Sequence, residues 1–140
     1  MSWASRKGLA LSSAWANARL GYLSTRLGES ENAWRYYREA LIPYQKGKTR
    51  GGVFFTVEGL AGLAVCERQW EKAIKLVSWA SKQRADSGEL RPPVEQGSVD
   101  RDLAAIRDHL TDIEIARLTA EGNRMTIDQA IALALDESNA

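Results

Sequence analysis

The stretch 54–87, FFTVEGLAGLAVCERQWEKAIKLVSWASKQRADS, limits the possible folds more than any other part of the chain. Leu60, Leu63 and Ala64 form a tight apolar face, with the small residues Gly59, Ala61 and Gly62 between them. Beyond Trp70, the residues Ala73, Ile74, Val77, Ala80 and Ser81 recur at helical spacing. The break at 67–70 leaves room only for a tight turn, so the two amphipathic helices must run antiparallel. This is a helical hairpin, and a hairpin of this kind needs neighbours to bury its second side.

A second copy lies upstream. Ala33, Tyr37 and Ala40 share the spacing of Ala73, Val77 and Ala80, and Leu20–Gly21 precedes the first triplet as Leu60–Ala61 precedes the second. The copies are offset by forty residues. This pattern resembles the tetratricopeptide repeat (TPR), a helix–turn–helix unit of about 34 residues. On that alignment the repeats cover 14–47 and 54–87, with 48–53 inserted between them. Gly28 stands at the turn of the first copy and Arg68 at that of the second, and neither copy has the terminal proline.

The ends of the chain fill out the expectation. Ala16, Leu20, Leu23 and Leu27 form one stripe of the first helix, suited to packing on the helix that follows. Leu11, Trp15, Ala18 and Tyr22 form a second stripe, so the helix is either buried on two sides or exposes one to a partner. Gly28 stops this helix, and Pro43 is expected to kink or stop the next. Downstream, Arg91-Pro92-Pro93 predicts an extended crossover over 88–97. Ser98 then caps a helix carrying Val99, Leu103, Ile106 and Leu110. Thr111 or Asp112 opens a short helix closed by Gly122. Thr126 caps the last, with Ile127, Ala130, Ile131, Ala134 and Leu135 on its apolar face.

The expected fold is therefore all-α, in one domain over 1–140. Its first hairpin spans 1–47, its second 48–87 and its crossover 88–97, and the helices of 98–137 close it as a terminal cap. Seven helices and no sheet are predicted.

The tail carries a more specific resemblance. R-x-L-A-A-I-R-x-x-L from Arg101, E-G at 121–122 and T-I-D-Q-A-I-A-L-A-L from Thr126 are similar to the C-terminal ends of large bacterial regulators. These are the LuxR-type and SARP-type transcriptional regulators and related ATPase-containing regulators. The resemblance implies a regulatory arm that binds other proteins or other domains of the same regulator. The DNA-binding helix-turn-helix and the nucleotide-binding module of that group have no counterpart among these residues.

Composition removes several function classes. Nineteen basic residues against eighteen acidic leave a formal charge of +1, too little to hold nucleic acid directly. No run approaches the roughly 18 apolar residues of a membrane span, and the N-terminus lacks an apolar signal core, so a cytoplasmic protein is expected. The single cysteine, Cys66, excludes an internal disulfide and reads as a small buried hydrophobe. Gly47-Lys48-Thr49 mimics the end of a phosphate-binding loop, but Ile42 stands where its first glycine belongs and no strand precedes it. His109 is the lone histidine, with no second ligand to complete a metal site. Glu114 and Glu121 lie in polar stretches that would not separate their pKa values. No cofactor, metal or catalysis is expected.

What remains is binding. Trp34, Trp70 and Trp79 read as core. In the TPR alignment the first helix of each repeat lines the concave groove, and the resemblance places Trp15, Arg19, Tyr22 and Arg26 there, joined by Phe55 and Glu58. Trp, Tyr and Arg are enriched at binding hot spots. The lysine–asparagine clamp of some TPR domains is absent from the matching positions. A protein-interaction module is the leading expectation, with a homodimer formed through the second stripe of the first helix. The alternative is a small-molecule sensor in which Trp15, Tyr22 and Phe55 line an apolar pocket. An open trough would favour the first reading, and a pocket of several hundred Å3 the second.

Overall fold

A computed structural model describes the backbone of residues 3–136 and the side chains of 8–136. Seven α-helices follow one another: α1 (Trp3–Arg26), α2 (Ser30–Lys46), α3 (Arg50–Cys66), α4 (Trp70–Ser87), α5 (Pro93–Arg107), α6 (Asp112–Asn123) and α7 (Ile127–Ala134). No strand occurs among the described residues. Helix α1 packs on α2, α2 on α3 and α3 on α4, and the last three helices lie against α3 and α4.

The first four helices are joined by three turns of the same design. Gly28, Lys48 and Arg68 each take a positive φ, of 77°, 54° and 62°. After each of them a backbone N–H reaches back five residues: Glu29 to Ser24 at 2.8 Å, Thr49 to Tyr44 at 2.9 Å and Gln69 to Ala64 at 2.8 Å. Gly88 repeats the positive φ at 76°, and Glu89 donates to the carbonyl of Arg84 at 3.1 Å. The left-handed residue thus recurs every twenty positions, which makes the forty-residue offset of the two hairpins visible as geometry. Residues 50–52, expected in a loop, form the first turn of α3. Pro43 neither stops nor ends α2, which runs on to Lys46.

Small residues decide how α1 docks. Ala14, Ala18 and Gly21 face α2, with the two alanines fully buried. The ring of Tyr37 lies so close to Gly21 that a Cβ there would stand 2.8 Å from it. The stripe of Ala16, Leu20, Leu23 and Leu27, expected to pack on α2, is instead exposed. Leucines would hold the helices apart, whereas alanine and glycine let the backbones approach. The second stripe is correspondingly not a free patch. Ala18 is core, and the Tyr22 hydroxyl is 3.2 Å from Ser98 Oγ on α5.

The core centres on Tyr37, Leu41, Phe54, Val57, Leu76 and the fully buried Trp79, which meets Phe54 edge-on with centroids 5.8 Å apart. A smaller cluster joins Ala64, Ala73 and Ile74 to Ile106 and Leu118.

The crossover is shorter than its prolines suggest. Pro92 is extended (φ −58°, ψ 154°), but Pro93 opens α5. A proline in the first helical position gives up only an N–H that has no partner there anyway. Ser98 therefore sits inside α5 rather than capping it. Thr111 and Thr126 do cap α6 and α7, each in a reciprocal box with Glu114 or Gln129. Gly122 does not close α6. It is buried within that helix, where a Cβ would come within 2.5 Å of the Lys75 carbonyl oxygen on α4. Ile127 is exposed, while Ala130, Ile131 and Ala134 are buried as their spacing requires.

Candidate functional site

Helix α5 crosses the hollow between α1 and α3 and converts it into a cleft of about 300 Å3. Tyr22, Thr25 and Arg26 of α1 form one wall, and Phe55, Glu58, Gly59, Gly62 and Cys66 of α3 form another. Tyr37 of α2 supplies a third side, and Ser98, Val99 and Asp102 of α5 lie across them. The two glycines keep the α3 wall low. A Cβ on Gly59 would fall 2.4 Å from the Tyr37 ring, and one on Gly62 would stand 3.2 Å from Asp102 Oδ2. Glycine at 59 admits the buried Tyr37 ring, and glycine at 62 leaves room for the Asp102 carboxylate.

Four of the six expected binding residues, Tyr22, Arg26, Phe55 and Glu58, line this cleft. Arg19 lies at its edge, its guanidinium 4.0 Å above the Phe55 ring and 3.8 Å from Glu95 on α5. Trp15, 57% exposed, has its ring centroid 5.1 Å from the same guanidinium. A tryptophan, an arginine and a phenylalanine thus lie together beside the mouth.

Glu58 departs from expectation. It is buried, and Arg84 Nη2 donates to its Oε1 at 2.8 Å while Arg91 donates to Oε2. Arg91 also donates to Ser81 Oγ at 3.1 Å and to Gln96 Oε1 at 3.0 Å. Glu58 is therefore a strut between α3, α4 and the crossover, and it has no free oxygen to offer a partner. Cys66 departs in the opposite direction, being exposed at the last turn of α3. Partial burial and the nearby Asp102 carboxylate push its thiol up, away from the reactive thiolate.

Asp102 is the residue that the spacing arguments passed over. Burial raises its carboxyl to about 6, against the opposing charge of neighbouring Arg101. No described residue hydrogen-bonds or ion-pairs with it. Arg101 Nη2 turns instead to Ser98 Oγ at 3.1 Å. A signal existed in the sequence. Val99, Asp102, Leu103 and Ile106 fall at i, i+3, i+4 and i+7, so a carboxylate occupies a place on the apolar face of α5.

Other features lie apart from this cleft. His109 stacks on Trp70 with centroids 4.0 Å apart at an exposed helix end. No group of three potential metal ligands occurs among the described residues. A wider depression of about 490 Å3 lies near Trp34, Leu60 and Lys72. It is bordered by Asp136, the last described residue. No helix among the described residues is long and apolar enough to cross a membrane.

Compared with family models, with curated proteins and with solved structures, the chain matches none.

Proposed function

We propose that the chain is a non-catalytic, TPR-like interaction module in which α1–α2 and α3–α4 are two repeats and α5–α7 a terminal cap. On this reading it is the C-terminal arm of a bacterial transcriptional or signalling regulator. One observation carries the interaction reading. Leu9, Leu20, Leu23 and Leu27 are 55%, 41%, 55% and 73% exposed and fall along one side of α1. That side lies roughly opposite Ala18, by the 100° step of the helix. An exposed leucine stripe of this kind suits stacking against another helix.

In isolation the stripe pairs with its own copy across a two-fold axis. Light scattering after gel filtration, over a series of concentrations, tests this with Leu23→Glu beside the parent. The expected result is a dimeric parent and a monomeric variant. A parent that stays monomeric, or a variant as dimeric as the parent, rejects it. The second stripe of α1, expected to form the dimer, has Ala18 in the core, Tyr22 beside Ser98 and Trp15 against Arg19.

A second reading, a small-molecule sensor, is favoured by a different observation. Helix α5 occupies the groove that an open peptide-binding trough would need, and leaves a cleft of ligand size with Tyr22 and Phe55 in its walls.

A further inference from the structure

We propose that the cleft beneath α5 binds a small amine, with a protonated nitrogen on the Asp102 carboxylate and an apolar body against Tyr22 and Phe55. The proposal rests on the second reading above, that the cleft is a ligand site, and it names the ligand's chemistry.

Charge matching carries the argument. Three carboxylates border the cleft, and two of them are satisfied by the protein: Glu58 by Arg84 and Arg91, and Glu95 by Arg19. Asp102 alone has no hydrogen bond or ion pair among the described residues. It lies on the packed face of α5, where desolvation disfavours its charge and an unpaired carboxylate destabilises the fold. A ligand cation would supply the missing partner. A bound amine would also gain from the aromatic walls, because ring faces attract cations.

The shape of the cleft agrees with this assignment. Gly62 places bare backbone opposite Asp102, and Gly59 does the same beside Tyr37. The Tyr37 ring fills the space over Gly59, and the cleft adjoins the Asp102 carboxylate with Tyr22 and Phe55 in its walls. A volume of about 300 Å3 is at the small end for organic ligands, suited to a single ring with a short amine-bearing tail. Arg26 and Arg101 also border the cleft. They define the competing chemistry, an anion held at the rim, and the test must separate the two.

Three probes of nearly equal size do so: phenethylamine, 2-phenylethanol and phenylacetate, each titrated calorimetrically into the whole chain near neutral pH. The expected order is amine first, at least tenfold tighter than the alcohol, with phenylacetate weakest. Asp102→Asn should bring the amine to the level of the alcohol. Gly62→Leu should abolish binding of all three, and in the parent the amide signals of Gly59, Gly62 and Asp102 should shift on adding the amine. If amine and alcohol bind equally in the parent, the assignment to Asp102 fails while the cleft remains a ligand site. Tighter binding of phenylacetate overturns the proposal in favour of the arginines. If none of the probes binds, the sensor reading and the proposal fall together. Should Asp102→Asn lose its fold, the shift mapping decides: an amine that perturbs signals elsewhere rejects the site.

Discussion

The carboxylate of Glu58 on α3 is held by the guanidinium of Arg84 on α4, which approaches both of its oxygens, with Nη2 2.8 Å from Oε1 and Nε 3.2 Å from each. Arg91, from the crossover, takes the remaining side. All three side chains are at most one-tenth exposed. Taking away the acid leaves two buried cations facing each other. Glu58→Ala should therefore cost about 3–5 kcal/mol, whereas an exposed pair such as Lys82–Asp86 is worth less than about 1 kcal/mol. Urea unfolding of the two variants Glu58→Ala and Asp86→Ala measures the contrast, and equal losses would show that the strut contributes nothing special.

Asp102 makes stability depend on pH in the direction opposite to most carboxylates. Its pKa rises from an ordinary 3.8 to about 6 on folding, so between those values the folded chain binds the extra proton. Stability from this group is greatest below pH 4, falls as pH rises through the window, and is lowest above about 6. The ceiling is about 3 kcal/mol, reduced to about 1–2 kcal/mol by solvent on the cleft side. Tyr22, Arg26, Tyr37, Glu58, Cys66, Glu95 and Arg101 face the same cleft. Partly exposed Glu114 and Glu121, held below the usual range by hydrogen bonds with Thr111 and Lys75 respectively, pull the other way at acid pH. The informative quantity is the difference between the parent and Asp102→Asn. The variant should be the more stable at neutral pH, with the gap closing as pH drops towards 4. A gap that does not change with pH would contradict this account.

Gly122→Ala should cost about 1–3 kcal/mol, because the added methyl would meet the backbone of Lys75, which cannot swing aside. Gly97→Ala, in α5, is the control. Its nearest neighbour is the far end of Arg101 at 3.7 Å, and the substitution should be neutral or slightly stabilising. Thermal melts of both variants check the pair.

Lys48→Gly should raise the melting temperature modestly. Lysine in the left-handed region costs on the order of 1 kcal/mol, and glycine there returns most of it after its own entropy loss. Arg68→Gly should gain less, since Arg68 lies over the Trp70 ring and next to His109. If both substitutions destabilise, the turns are not strained.

Much of the fold was legible in the sequence because alanine spacing and capping residues act locally. Ala73, Val77 and Ala80, and the caps Thr111 and Thr126, lie where their patterns place them. What failed had a common physical cause. The Leu20–Leu23–Leu27 stripe looked like an interface because leucine is apolar, but helix approach is set by size, and Ala14, Ala18 and Gly21 allow closer contact. The left-handed residue of two turns went unmarked because lysine and arginine fill positions where glycine is the usual sign. The candidate site was half legible. Residues of α1 and α3 emerged from the repeat alignment, but Tyr37 and Asp102 depend on where α2 and α5 come to rest. Glu58 could be recognised as buried only once Arg84 and Arg91 were beside it, since neither is near it in sequence.

The even spacing of the turns at 28, 48, 68 and 88 also restricts how such a chain can change length. Each turn reverses the direction of travel, so the next helix starts where the previous one ended. An insertion of twenty residues would invert the direction of every helix downstream of it. An insertion of forty restores the direction. Tandem duplication of this architecture is therefore quantised in pairs of helices, and the smallest length change that leaves the downstream structure intact is a whole hairpin.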